Sequence, residues 1–301
     1  MQKTLQKSFE INDIGLHSGG MVRMVVKPAK ADLGIVFQRM DITDRDNIIP
    51  ARWNNVVDTQ LCTVIGNKAG VTVGTIEHLM AALRGCGVDN AIVELDAPEV
   101  PVMDGSSAAF VEAIDKVGVV EQESPLRAIR VLKDILVEKD GKRVKLSPSD
   151  ESLFSGKIVY DHPVIGTQEQ ELQLRDGNFR DELAEARTFG LLRDVEMMRS
   201  AGLALGGSLD NAVVLDDDKV LNEDGLRFDD EFIRHKLLDA IGDLFLAGAP
   251  ILGAYQGDCA GHAMNNEILH ALFADQSNWE WIDISNAQSL PISNEKEAVI
   301  A

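Results

Sequence analysis

Three separated segments carry the residues whose types and spacing offer chemistry. The densest is FDDEFIRHKLLDAIGDLFLAG, residues 228 to 248. On a helix turning about 100 degrees per residue, Ile233, Leu237, Leu238, Ile241, Leu244 and Phe245 share one broad arc, while His235, Lys236, Asp239 and Asp243 fall opposite it. His235 and Asp239 stand at i and i+4, stacked on one face, where an imidazole and a carboxylate can both reach one divalent ion. Zinc accepts such N and O donors. An ordinary solvated helix face gives the same pattern, so the spacing alone leaves both readings open.

The second segment is TIEHLMAALRGCG, residues 75 to 87, in which Glu77 and His78 interrupt an apolar helix beside Ile76, Leu79 and Met80. Burying two ionisable groups is costly without partners. A metal supplies one for His78, and a metal-bound water supplies one for Glu77, which is a way to set a general base beside an activated nucleophile. The third segment is AGHAMNN, residues 260 to 266, where His262 follows a glycine among small and amide side chains; taken alone it reads as a structural loop histidine, with a loop position pointing into a cleft as the alternative. His17, His162 and His270 have no matching arrangement and read as structural, although the GLHSGG loop around His17 can border a site. Cys62, Cys86 and Cys259 show no CxxC spacing, which argues against a disulfide framework or a cysteine zinc site.

These side chains need a folded scaffold, and the chain is long enough to supply one. At 301 residues and 45% hydrophobic content it can bury a substantial core, in two domains or one large one. VRMVVKP (22 to 28), DLGIVFQRM (32 to 40) and AIVELD (91 to 96) read as strands, and 75 to 87 and 108 to 118 as helices with Thr75 capping the first. EQESPLR (121 to 127) is polar and contains Pro125, which places a boundary between domains 1–124 and 125–301. The second half predicts strands near 128–138, 143–147 and 153–160, a helix near 178–187 and a long helix over 229–247. No apolar run approaches the roughly 20 residues of a membrane span, and the N-terminus lacks a signal-peptide core. The expectation is a cytoplasmic protein without stable membrane insertion. A net charge of -20 repels a phosphate backbone and speaks against nucleic acid as partner.

Further motifs join these segments in order: GLHSGG (15 to 20), VPVMDGSSAAF (100 to 110), RTFGLLRD (187 to 194), LGGS (205 to 208) and VLNEDGLRFDDEFIRHKLLDAIGDL (220 to 244). Together with TIEHLMAAL and GHAMNN they resemble the UDP-3-O-acyl-N-acetylglucosamine deacetylases of lipid A biosynthesis, along almost the whole chain. The resemblance implies an α+β fold of two similar domains, each a small sheet packed against helices in two layers, with the active site between them. It implies a zinc ion, or ferrous iron, on His78, His235 and Asp239; a general base at Glu77; a catalytic histidine at His262 supported by Asp243; and oxyanion contacts from Thr188 and Lys236. Leu16, Cys62, Phe189 and Gly207 are implied near the substrate, a UDP-linked acylated amino sugar whose acyl chain asks for an apolar passage. Leu191, Val195, Leu203, Ala204 and Val214 are candidates to line it beside Leu16. Two features depart from the family pattern: QGDCAGHAM has no basic residue just before Gly261-His262 and carries Asp258, and Leu191 stands where an aromatic is more usual. The apolar tail EAVIA (297 to 301) resembles a degradation tag read by a membrane-anchored AAA protease, with a frayed terminus as the alternative reading. Rival readings are a zinc amidohydrolase or peptidase on another substrate and a non-catalytic α+β binding module.

Overall fold

The structure, a computed structural model, describes residues 1–175 and 177–284, so the 297–301 tail lies outside the described residues. The first half is built on a five-stranded sheet in the order Phe9–Ile14, Met21–Pro28, Ala91–Leu95, Ile35–Arg39, Ile48–Pro50. Neighbours run antiparallel except Ala91–Leu95 beside Ile35–Arg39. Period-two patterning sets which face is buried: Val22, Met24 and Val26, then Ala91, Val93 and Leu95, point inward. Against this sheet lie α1 (Glu77–Gly85) and α2 (Ala108–Val117), whose Phe110, Val111 and Ile114 are buried. Lys3–Leu5 pairs with Val119–Glu121, bringing the start of this half back to its end.

The second half holds a seven-stranded sheet centred on Ile251–Asp258. That strand pairs antiparallel with Lys142–Ser147 and parallel with Ser152–Val159 and, at its start, Arg127–Val131. Ile135–Lys139, Thr167–Gln173 and Trp279–Asp283 complete it. Its helices are the short α3 (Asn178–Glu182), α4 (Leu192–Ser200), α5 (Glu231–Phe245) and α6 (His262–Ala274). Helix α4 is the crossover between two parallel strands, Phe189–Leu191 and Val213–Leu215. Among the described residues, no strand of 1–121 pairs with a strand of 127–283.

The two halves meet through α1 and α5. Both helices are buried almost all round, not along one stripe, as an element in the centre of a core must be. Gly242 lets them approach: a Cβ there would overlap the Glu77 carbonyl oxygen and sit 3.1 Å from the Ala81 nitrogen. The charged face of α5 is therefore enclosed by α1, whereas a solvated face was the ordinary reading of its sequence.

Several local expectations give way to the structure. Thr75 does not cap α1; it sits at φ 55° and its hydroxyl donates to Glu99 Oε1 at 3.1 Å. The strand expected over 128–138 splits at residues 132–134 into Arg127–Val131 and Ile135–Lys139, and the helix expected near 178–187 is only the single turn of α3. His262 is the first residue of α6 and not a loop residue; Gly261, in extended backbone, makes the entry. Among the described residues no helix is long and apolar enough to cross a membrane.

Candidate metal centre

Helix α5 places His235 and Asp239 one turn apart, and α1 sets His78 opposite them. Single donor atoms from these three buried residues lie within 4.8 Å of one another. His78 Nε2 is 3.5 Å and His235 Nε2 3.4 Å from Asp239 Oδ1. That carboxylate oxygen is buried and has no hydrogen-bond partner among the described residues. Leaving it so is costly, and a cation at this point removes the cost.

The surroundings orient the donors. His235 Nδ1–H donates to the Ala186 carbonyl at 3.0 Å, which leaves the Nε2 lone pair facing the cluster. Burial pushes the His235 imidazole down to about 3, so it is neutral, as a metal ligand must be. The Ser107 hydroxyl donates to the His78 carbonyl at 2.8 Å and ties α1 to the start of α2. Burial opposes ionisation of Asp239, yet His235 and the Lys236 ammonium, which donates to Oδ2 at 2.8 Å, hold its carboxyl well below the usual range. Two buried imidazole nitrogens, from His78 and His235, and a bare carboxylate oxygen fit a divalent ion of the zinc or ferrous type.

Beside this cluster lies a carboxylate–imidazole relay. Asp243, one turn beyond Asp239 on α5, accepts from His262 Nδ1–H at 2.9 Å, and His262 Nε2 is 3.8 Å from Glu77 Oε1. Burial alone would lower the His262 imidazole, but Asp243 and Glu77 outweigh it and hold it up to about 10, protonated at neutral pH. Burial raises the Glu77 carboxyl above its ordinary value, with the His262 charge opposing. A carboxylate and a protonated imidazole thus face each other beside the His78, His235 and Asp239 group. The network continues outward: Asn265 Nδ2 donates to Asp243 Oδ2 at 2.9 Å, and the Tyr255 hydroxyl donates to Asn265 Oδ1 at 2.7 Å.

The segment 186–189 runs along α5 and brings further expected residues to the site. Thr188 is fixed through its backbone, which donates to the Gly105 carbonyl and accepts from Val213 N, both at 2.8 Å. The Phe189 ring lies 6.3 Å from the His235 ring and 5.6 Å from Lys236 Nζ. Arg187 anchors the segment through a buried ion pair with Glu231, Nε to Oε1 at 2.8 Å. Burial and the Asp239 carboxylate pull the Lys236 ammonium in opposite directions, and Asp239 prevails, keeping it charged.

The other expected residues lie in different places. Cys62 lines a cavity of about 390 Å³ with His17, Leu61, Val64, Gly74 and Leu203. Burial, then the Glu77 charge, pushes its thiol up to about 12. Leu16 and Gly207 touch each other, the glycine leaving 3.6 Å to Leu16 Cδ1 from where a Cβ would stand. No described contact links that pair to the metal group. Of the apolar lining expected over 191–214, only Leu203 reaches this cavity; Leu191 packs instead on the small core of Ile158, Val213 and Phe232, and Val214 is buried. His162 and His270 are structural, the first bonded to the Asp216 carbonyl at 2.6 Å and the second edge-on to Trp53. Sequence reasoning missed Thr63 and Asn265, which hold the relay; nothing in LCTV distinguishes Thr63 from a routine strand residue.

Enclosed donors that could hold a metal, beside a facing carboxylate and imidazolium and set between two α+β halves, make the arrangement a metal-dependent hydrolase would need. The chain belongs to the family of the UDP-3-O-acyl N-acetylglycosamine deacetylases, whose model it matches over residues 2–274. It is 49% identical over 278 residues to the UDP-3-O-acyl-N-acetylglucosamine deacetylase of Phenylobacterium zucineum, covering 92% of this chain and 95% of that protein. The protein of the same name from Stenotrophomonas maltophilia strain K279a is 47% identical over 288 residues, 95% and 94% of the two chains. That from Xanthomonas axonopodis pv. citri is 46% identical over 292 residues, 96% of each.

Proposed function

We propose that this chain hydrolyses the acetamide of a UDP-3-O-(hydroxyacyl)-N-acetylglucosamine, releasing acetate and a free glucosamine amine, an early committed step of lipid A synthesis carried out in the cytoplasm. The observation that carries the reading is the buried His78, His235 and Asp239 group opening onto the Glu77 and His262 pair. Family membership along nearly the whole chain supports the substrate. The proposed division is into domains 1–124, which supplies Glu77 and His78, and 125–301, which supplies His235, Asp239 and His262; the closing of Lys3–Leu5 onto Val119–Glu121 supports it.

His78, His235 and Asp239 would hold zinc, with ferrous iron suited to the same donors. The chemistry such an ion would supply there is Lewis-acid polarisation of the acetyl carbonyl and a pKa of about 7 for an attacking water. Glu77 Oε1 accepts the proton of that water, and burial makes it a stronger base than an exposed glutamate. As the carbonyl oxygen gains charge, the Thr188 hydroxyl donates to it and the Lys236 ammonium adds positive potential. His262, protonated and steadied by Asp243 at Nδ1, delivers a proton from Nε2 to the departing nitrogen. The cavity lined by Leu61, Val64 and Leu203 serves the acyl chain. The test is acetate release from the UDP-linked acyl sugar compared with simple N-acetyl sugars and acetylated peptides. Turnover confined to the nucleotide sugar supports the reading; equal turnover of peptides overturns it.

A further inference from the structure

Thr63 touches both halves of the acid–base relay. Its backbone N–H donates to Glu77 Oε2 at 3.0 Å, and its hydroxyl donates to Asp243 Oδ1 at 2.5 Å, both buried. Thr63 itself is 2% exposed, so these bonds are made without competition from water. The two carboxylates stand on different helices, α1 and α5, and their alignment is not fixed by either helix alone. Each is bound by Thr63 through one oxygen and left with the other. On Glu77 the free oxygen is Oε1, the one facing His262 Nε2. On Asp243 the remaining oxygen, Oδ2, receives His262 Nδ1–H and Asn265.

We propose that Thr63 is a positioning residue of the deacetylase reaction, which sets the reacting oxygen of Glu77 through its backbone and the orientation of the His262 ring through its hydroxyl and Asp243. The inference rests on the deacetylase reading above. A hydroxyl donor on Oδ1 requires Asp243 to accept there. Asp243 then presents Oδ2 as a further acceptor, which holds the Nδ1–H of the protonated ring and turns its Nε2–H toward the substrate and Glu77. Losing the hydroxyl frees the Asp243 carboxylate to rotate about its side-chain bonds, and the imidazole rotates with it. Substrate contacts and the metal ligands are untouched by that change. The cost falls on the chemical step.

The experiment compares Thr63→Val, which keeps shape and backbone N–H but lacks the hydroxyl, with Thr63→Ser, which keeps the hydroxyl and lacks the methyl. Steady-state kinetics, zinc content and 15N NMR of the His262 ring in the zinc-loaded protein are measured for both. The expected result is a kcat roughly 10 to 100-fold lower in Thr63→Val with KM and zinc content unchanged. The NMR should show the His262 Nδ1–H signal, single in the parent, broadening or doubling as the ring loses its fixed orientation, and Thr63→Ser should stay within about threefold of the parent. Equal losses in the two variants, or a Thr63→Val kcat within about twofold of the parent, overturn the proposal. If Thr63→Val does not fold, Thr63→Ala against Thr63→Ser carries the same comparison. An inactive parent protein refutes the deacetylase reading itself, whereas an active parent with an indifferent Thr63→Val refutes only the role of Thr63.

Discussion

Replacing Gly242 by alanine tests the contact that assembles the site. The new methyl group would overlap the Glu77 carbonyl oxygen and lie 3.1 Å from the Ala81 nitrogen, both backbone atoms that cannot swing aside as a side chain can. Relief requires α1 and α5 to separate by roughly 1 Å at this point, an overpacking that costs about 1–3 kcal/mol. The metal group is more sensitive than the fold. His78 moves with α1 while His235 and Asp239 move with α5, and metal–ligand distances tolerate only about 0.2 Å. A shift several times that tolerance should weaken zinc binding on the order of 100-fold. Competition with a chromophoric chelator measures the affinity, and thermal unfolding of the metal-free protein measures the cost to the fold. Gly20→Ala is the control: Gly20 is exposed, and its nearest heavy atom to an added Cβ is the Ser18 hydroxyl at 3.8 Å. If Gly242→Ala binds zinc within about threefold of the parent and melts at the parent temperature, the close approach of α1 and α5 does not position the ligands, and the reasoning fails.

Other variants separate the roles of the side chains. Glu77→Ala and His262→Ala should each lower kcat by roughly 10²–10⁴ while zinc content by mass spectrometry stays at the parent value; near-parent kcat in either removes it from proton transfer. His78→Ala and Asp239→Ala should instead purify with little zinc, and full occupancy in both contradicts the ligand assignment. Glu231→Ala strips the acceptor from Arg187 and Arg227 N and leaves a buried guanidinium unpaired, for a loss of about 3–5 kcal/mol in urea unfolding. His262 is held at about 10 in the fold against an ordinary 6.5, so the folded state binds the proton more tightly than the unfolded chain. Its contribution is fully present below 6.5 and lost as the pH rises through about 10, so metal-free protein should weaken over that window and His262→Asn should flatten the dependence.

The parts of this site that repeat along one helix were legible in the sequence. The i,i+4 spacing of His235 and Asp239 admitted a chelate beside the ordinary solvated face, and the apolar arc of Ile233, Leu237, Leu238 and Ile241 announced the helix that carries them. What spacing does not carry is enclosure. A charged helix face reads as solvated until a second helix covers it, and the cause of that cover, the bare backbone of Gly242 beneath Glu77, is a contact across about half the chain. Thr63 and Asp243 are likewise joined over 180 residues, and no local pattern encodes their bond. Thr75 looked like a helix cap because caps favour threonine, but its hydroxyl found Glu99 instead. The glycine before His262 suggested a loop, although Met264, Ile268, Leu269 and Leu272 already carried the buried spacing of a helix. The two-half α+β architecture followed from the strand and helix patterns together with the family motifs, whereas the hub role of Ile251–Asp258 depends on pairings that only the folded sheet reveals.

The most direct test of the central claim is acetate release from UDP-3-O-(hydroxyacyl)-N-acetylglucosamine by chelator-stripped protein titrated with zinc. The account predicts no turnover without metal and activity that rises to a plateau at one zinc per chain. Folded protein that releases no acetate at full zinc occupancy, or that turns over equally well when stripped, would contradict it.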